Sequence, residues 1–591
     1  MTSGPPASRP ASPAPRPVPS ATPQAPRPVP PPASPPARPV PPPARRLELI
    51  GRAGLAACLA SVLLTFAVAA AGPSVMEPAL PGGAGQPPWS LGLGLPAGLA
   101  IGLAAAALAV GATGLGLCLH AARHGWAVPP RLLLGAGLIA AAALTLVPPF
   151  GSGDHLSYAA YGRMAVTGHD PYTTTPAMLA RLGDPVARAV QDWRHSPSVY
   201  GSVATGFQAL AAAAGGRSAR LTVFVLSLVN LAAFAGTGLL AHRLARGRRD
   251  RQLRAALLWT ANPLLLQVLV AGAHADGQAV FFAVAALALF CISLRYAPRA
   301  TLGPAFLIAA GAGAAAGLAF AVKLSLVLVL AGLILAAALT AFPRDRARWQ
   351  PFAVVTGGLL TGFAVIATAA FIPWGTQALG PALRAGSYVS IGSPWRPVRS
   401  ALRLATGEAT ADNLVRTAAV ILAVALLALF ARPLTALARQ CRYGPVPGLG
   451  RAVGHPDAEF CPRPGDPPDG RHTSPERADG TTIAAASVLT VVLAWLVAWT
   501  YVLPWYDTLA WAFLAVLPWL PLPWAALDWL VLARTTVLAF GYLPARGIAL
   551  PAGLAWTRTV VRSGVTPVLL LALTVLLVVV LRWRRSDRSA A

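Results

Sequence analysis

Long uncharged apolar runs, broken by short segments that carry arginines and prolines, repeat from residue 50 almost to the end of the chain. A run of about 18 or more such residues is long enough to cross a bilayer as a helix. Runs of this kind fall near 50–71, 92–119, 131–149, 221–241, 253–271, 277–295, 303–321, 324–342, 352–372, 414–431, 481–502, 507–522, 523–541 and 566–581. The pattern predicts an all-α protein, a polytopic membrane helix bundle of about fourteen spans. One further apolar stretch, 199–214, is short for a span, and counting it would carry the arginines of 246–254 to the opposite side of the bilayer. It is expected to be an interfacial or re-entrant helix.

Composition narrows the class. Hydrophobic residues make up 55 % of the 591 and charged residues only 11 %, with mean hydropathy +0.60. A soluble chain carries about 25 % charged residues, so a soluble enzyme and a disordered scaffold are both excluded. The net charge of +27 invites a nucleic-acid reading. The arginines, however, sit in blocks between spans, as cytoplasmic anchoring requires, and no basic stripe interleaved with aromatics appears. The blocks at Arg45 and Arg46, His242 to Arg254, Pro343 to Gln350, 432–480, and Arg582, Arg584 and Arg585 orient the chain in the plasma membrane with both termini inside. The expected organisation is a disordered Pro- and Arg-rich tail (1–46), a core (47–431), a disordered cytoplasmic loop (432–480), C-terminal helices (481–581) and a short tail (582–591). The polar loops 150–220 and 373–413, with shorter segments near 272–276, 503–507 and 542–565, then fall outside the cell. Any site is expected there. The five cysteines show no CxxC spacing, so neither a disulfide framework nor a zinc site is indicated.

The first outer loop reads Gly151-Ser-Gly-Asp-His-Leu-Ser-Tyr-Ala-Ala-Tyr-Gly-Arg163, then Gly168-His-Asp-Pro-Tyr172. Asp154 stands where the chain leaves a span, and a low-dielectric edge raises a carboxyl pKa as a general base requires. Tyr158 and Tyr161 follow at i+4 and i+7, on the same face if the segment is helical, with rings able to stack on a sugar. An interfacial helix cap, Asp154 as N-cap and the tyrosines at headgroup level, accounts for the same residues. Asp170-Pro171-Tyr172 reads first as a turn. His274 and Asp276, in Gly272-Ala-His-Ala-Asp276, suit either a sugar hydroxyl or a metal, or a loop with satisfied polar groups. Lys323, the only lysine, interrupts the apolar stretch Leu318 to Leu335. A charge at membrane depth costs roughly 2.5 kcal/mol or more and marks a functional site by default. Its natural partner is a lipid phosphate, with snorkelling as the plainer alternative. Trp395 and Arg396 pair a stacking ring with a phosphate-binding guanidinium, or else anchor their loop. Pro504-Trp505-Tyr506-Asp507 closes a span on the same side, and Asp528 and Arg534, in one apolar run, are expected to neutralise each other. Gly311, Gly313 and Gly317 are expected at helix-packing positions.

In order, Asp154-x-x-x-Tyr158-x-x-Tyr161-Gly-Arg163, Gly168-x-Asp-Pro-Tyr172, Asn262-Pro-Leu, Gly272-x-His-x-Asp276, a lone lysine and Pro504-Trp-Tyr506 resemble the polyprenol-phosphomannose-dependent α-1,6-mannosyltransferases of actinobacteria. These are multispan glycosyltransferases of GT-C type, and the resemblance runs through about residues 130–510. One departure stands out: Ala275 occupies the position where that family is expected to have Asn. The resemblance implies a β-linked mannosyl phosphopolyprenol donor, an extracytoplasmic mannan or lipoglycan acceptor, and Asp154 as the catalytic carboxylate. It also implies substrate contacts from Tyr158, Tyr161, Arg163, Asp170, Tyr172, His274, Asp276, Lys323, Trp395, Arg396 and Tyr506. No cofactor and no nucleic-acid partner is expected. A transferase of the same type for another sugar, such as arabinofuranose, and a flippase for polyprenyl-linked glycans are the competing readings. Against a flippase, no internal repeat appears, and the polar residues gather at one face.

Overall fold

The computed structural model describes residues 1, 4, 44–83, 85–296, 302–341, 349–443, 479–548 and 550–582. Among these there is no strand; the chain is a helix bundle. The helices are α1 (Ala44–Ala71), α2 (Ala97–Arg123), α3 (Pro130–Thr145), α4 (Asp154–Val166), α5 (Pro176–Arg181), α6 (Pro185–Ala189) and α7 (Ser202–Gly215). Next come α8 (Ala219–Leu244), α9 (Arg249–Ala255), α10 (Pro263–Leu265), α11 (Asp276–Tyr296), α12 (Leu302–Val322), α13 (Val327–Ala341) and α14 (Trp349–Phe371). The last seven are α15 (Gly380–Ala385), α16 (Trp395–Thr406), α17 (Glu408–Tyr443), α18 (Gly480–Ala498), α19 (Thr508–Val516), α20 (Trp524–Gly541) and α21 (Thr566–Arg582).

Eleven helices among the described residues are long and apolar enough to cross a membrane, fewer than the fourteen runs. Three runs fall short for one reason: proline or a polar residue breaks the helix inside an apolar stretch. The 131–149 run becomes a 16-residue α3 that starts at Pro130 and ends before Pro148. The 507–522 run becomes the nine-residue α19, ended ahead of Pro518. The 324–342 run begins late because Lys323 is extended (φ −149°, ψ 120°), separating α12 from the 15-residue α13. The stretch set apart at 199–214 is indeed a short helix, α7, packed on α4, α8 and α12. Helix α17 continues to Tyr443, past the expected start of the 432–480 loop at 432. Most of that loop, the 1–46 tail and the 582–591 tail lies outside the described residues.

Close approach of backbones organises the bundle. Helix α1 packs along α2, and α12 lies against α11 and α14. A Cβ on Gly313 would strike the Leu359 carbonyl, and one on Gly317 would lie 2.9 Å from Ile366, so both are packing positions. Gly311 has only ordinary side-chain contact.

The charges inside the bundle are paired across distant segments. The expected Asp528–Arg534 pair does not form. Asp528 instead accepts two hydrogen bonds from Arg254, at 2.6 and 2.5 Å, with both side chains about 3 % exposed. Arg534 pairs with Asp507, which also accepts from Thr535 at 2.9 Å. Residues 528 and 534 lie on one helix, but six residues is too far round for the side chains to meet.

Candidate active site

The loop read as 150–220 is largely helical, and α4 together with the 193–200 segment between α6 and α7 forms one wall of a cavity of about 640 Å³. Asp154 is the first residue of α4, not its cap. Gly153 occupies the cap position, and the Asp154 backbone N–H donates to Ser152 Oγ at 3.1 Å. The Asp154 carboxylate is therefore free of the backbone. It faces the cavity, with Oδ2 3.7 Å from His274 Nδ1. Burial, then the charges of Asp192 and Asp276, push its pKa from 3.8 up to about 7, with the Trp193 indole N–H and Lys323 pulling the other way.

Ten tyrosines and tryptophans contribute to the remaining lining. Tyr158 and Tyr200 meet edge to face, their hydroxyls 2.9 Å apart. The Tyr161 hydroxyl donates to the Ser196 carbonyl at 2.9 Å, which holds the 190–201 segment against α4. Tyr506, from the turn before α19, lies between Trp495 and Tyr501, and all three line the cavity. Such walls of apolar rings with a few aimed polar groups are what a sugar or lipid-sugar site needs.

The turn 272–276 brings two further residues inward. Ala273 adopts φ +51°, a conformation a side chain rarely takes, and its carbonyl accepts from Asn230 at 2.9 Å. That held turn stacks the His274 ring on Trp505, centroids 3.6 Å apart. Burial, then the charges of His155 and Lys323, hold His274 well below the usual histidine range. Asp276 accepts from Lys323 Nζ at 2.6 Å. The two side chains thus turn to different partners and do not converge on one point. Lys323, in the break between α12 and α13, also lies 3.5 Å above the Tyr506 ring and lines the cavity. The only lysine is thus neither snorkelling nor unpaired.

Residues 53–339 match a family model described as alpha-(1->6)-mannopyranosyltransferase, N-terminal domain. That stretch, just under half of the chain, is similar to the family. A Mycolicibacterium smegmatis protein named "Probable alpha-(1->6)-mannopyranosyltransferase" is 35 % identical over 135 residues, 22 % of this chain and 24 % of that protein. The aligned part is thus about a quarter of the relative. No solved structure matches.

The matched stretch contains the lining residues Asp154, Tyr158, Tyr161 and Lys323, with His274 and Asp276 behind them rather than in the lining, whereas Tyr506 comes to the cavity from beyond it. Several candidates lie outside the lining. Arg163 donates to Asp184 at 2.7 Å, and that carboxylate also caps α6. Asp170 accepts from the Tyr172 N–H at 2.8 Å, a turn as its sequence suggested, while the Tyr172 hydroxyl meets Thr205 at 3.0 Å. Trp395 donates to the Ala498 carbonyl at 2.8 Å and so anchors α16, while Arg396 is exposed beside it; neither lines the cavity. The loop's contributions are instead Arg384 and Tyr388, with Arg416 from α17. Ala275 is 3 % exposed and belongs to the apolar cluster of α4, α7 and α8. The departure from Asn at that position therefore changes buried packing, not the cavity surface.

Trp193, Tyr200, Trp495 and Tyr501 were not singled out by sequence. Each stands alone in an irregular or apolar segment, with no spacing to mark it. Asp192 was missed too. Its carboxylate lies against Gly153, where a Cβ would come within 2.6 Å, and burial raises its pKa against the opposing charges of Arg546, Arg558 and Arg562.

Proposed function

We propose that this chain transfers mannose from a polyprenyl phosphomannose to a mannan or lipoglycan acceptor outside the plasma membrane, forming an α-1,6 linkage with inversion. One observation carries the reading: Asp154, a carboxyl poised near neutrality within the stretch that matches the mannopyranosyltransferase family model, opens into a cavity walled by aromatic rings. The acceptor hydroxyl gives its proton to Asp154 as its oxygen attacks the anomeric carbon. The bond from that carbon to the phosphate oxygen breaks, and its electron pair leaves with the polyprenyl phosphate. Asp154 then returns the proton to water or to the departing phosphate. A pKa of about 7 gives a base that is substantially ionised near neutral pH yet basic enough to assist.

Lys323, Arg384 and Arg416 are the cations of the cavity lining and would balance the charge growing on the leaving phosphate. Attack from the face opposite the phosphate turns a β-linked donor into an α-linked product. The distribution of arginine blocks supports an outward-facing site. The test is transfer of radiolabelled mannose from mannosyl phosphopolyprenol to an α-1,6-mannan by the purified chain. Label in the acceptor supports the reading. Its absence, with the donor intact, refutes it.

A further inference from the structure

The segment between α6 and α7 holds a residue whose conformation asks for an explanation. Trp193 has φ +59°, a left-handed backbone for a bulky residue. Strain of this kind persists only where the surroundings impose it, and it gathers at functional sites. Here the surroundings are visible on both sides. Gln191 is gripped by Arg546, which also donates to the Ser74 carbonyl at 3.2 Å. Ser196 donates its N–H to the Trp193 carbonyl at 2.9 Å, and Ser198 is tied to the Pro171 carbonyl at 2.8 Å. The result is an indole ring that lines the cavity while remaining 44 % exposed, its N–H directed at Asp154. A core tryptophan would be covered, and a surface one would not be strained towards a buried carboxylate.

A residue two positions on indicates what the ring is for. His195 lines both this cavity and a groove of about 420 Å³, the rest of which is formed by Ala177, Ala180, Arg181, Arg188 and Arg194. The groove meets the cavity at His195, two residues from Trp193, and draws most of its lining from α5 and α6. The cations assigned to the donor phosphate, Lys323, Arg384 and Arg416, come from other elements. Exposed guanidinium groups along a groove offer many N–H donors to a polyhydroxylated chain, and an indole face covers the apolar face of a hexose.

We propose that Trp193 is the stacking wall of the acceptor subsite: a hexose of the acceptor glycan, entering past His195, lies on the indole so that its reactive hydroxyl meets Asp154. This rests on reading the cavity as a glycosyl-transfer site.

The test uses the full chain in detergent, with α-1,6-linked mannotriose as the acceptor probe and mannosyl phosphopolyprenol as donor. Trp193→Gly removes the wall and accepts the backbone conformation without strain, so misfolding is not its expected failure. It should raise the acceptor KM tenfold or more and leave the donor KM within twofold. Trp193→Phe keeps a ring and loses the N–H. It should hold the acceptor KM within threefold and move the acid limb of kcat/KM to higher pH, since Asp154 loses a donor. An unchanged acceptor KM in Trp193→Gly, or a donor KM that rises instead, overturns the assignment. Saturation-transfer NMR with mannotriose alone needs no donor. Signal in the wild type that is lost in Trp193→Gly supports the subsite even if mannosyl transfer itself fails. Equal signal in the two proteins, or none in the wild type, rejects it.

Discussion

Asp154→Asn separates the account from its alternatives in a single variant. Holding this carboxyl ionised costs the fold free energy, because burial raises its pKa from 3.8 to about 7. At 1.36 kcal/mol per pH unit, that cost reaches about 4 kcal/mol above pH 7. The sign follows from proton counting. Between pH 4 and 7 the folded protein keeps a proton at Asp154 that the unfolded chain has lost, so wild-type stability falls as pH rises through that window and levels off above it. Asparagine does not titrate. The variant's stability advantage should therefore grow by about 3 kcal/mol between pH 5 and pH 8, read as a widening gap between thermal midpoints in detergent. Activity should move the opposite way. Asparagine cannot take the acceptor proton, and turnover should drop by about two to four orders of magnitude. The wild-type kcat/KM should rise about tenfold per pH unit below 7 and flatten above, whereas the variant's residual rate should show no such limb. Near-normal transfer by the variant, or a midpoint gap that does not change with pH, would refute the reasoning.

Three further outcomes test neighbouring parts. Lys323→Met leaves Asp276 without the ammonium at 2.6 Å and should cost about 3–5 kcal/mol of stability; adding Asp276→Asn should recover much of that without restoring transfer. Arg254→Met, which strands the buried Asp528 carboxylate, should destabilise by a similar amount, with Arg254→Met and Asp528→Leu together close to wild type by thermal melting. A cysteine at Thr174 should react with an impermeant maleimide outside intact cells, and one at Arg249 should not; the native Cys58, Cys118 and Cys291 are buried. Labelling at Arg249 from outside would reverse the orientation.

The fold class was legible because apolar run length is a direct reading of the bilayer. The span count was not, since hydropathy averages over the prolines that shorten α3 and α19 and over the extended backbone at Lys323. Of the residues that line the candidate cavity, Asp154 and Lys323 were legible because each is a charge at an apolar boundary. Their partners could not: Lys323 meets Asp276 across 47 residues and Arg254 meets Asp528 across 274, and nothing local encodes either pairing. Arg163, Trp395 and Arg396 show the opposite error. They have the chemistry of a binding site, but their side chains hold helices together or face outward. Trp193 was invisible for a different reason. Its significance lies in a backbone dihedral angle and in the packing that enforces it.

The most direct test of the central claim is donor choice by the purified protein. Radiolabelled mannosyl phosphopolyprenol and radiolabelled GDP-mannose are each offered with an α-1,6-mannan, alongside Asp154→Asn as control. The account predicts label in the mannan from the lipid-linked donor alone, released as α-1,6-linked mannose, and next to none with the variant. Transfer from GDP-mannose, or equal transfer by Asp154→Asn, would contradict it.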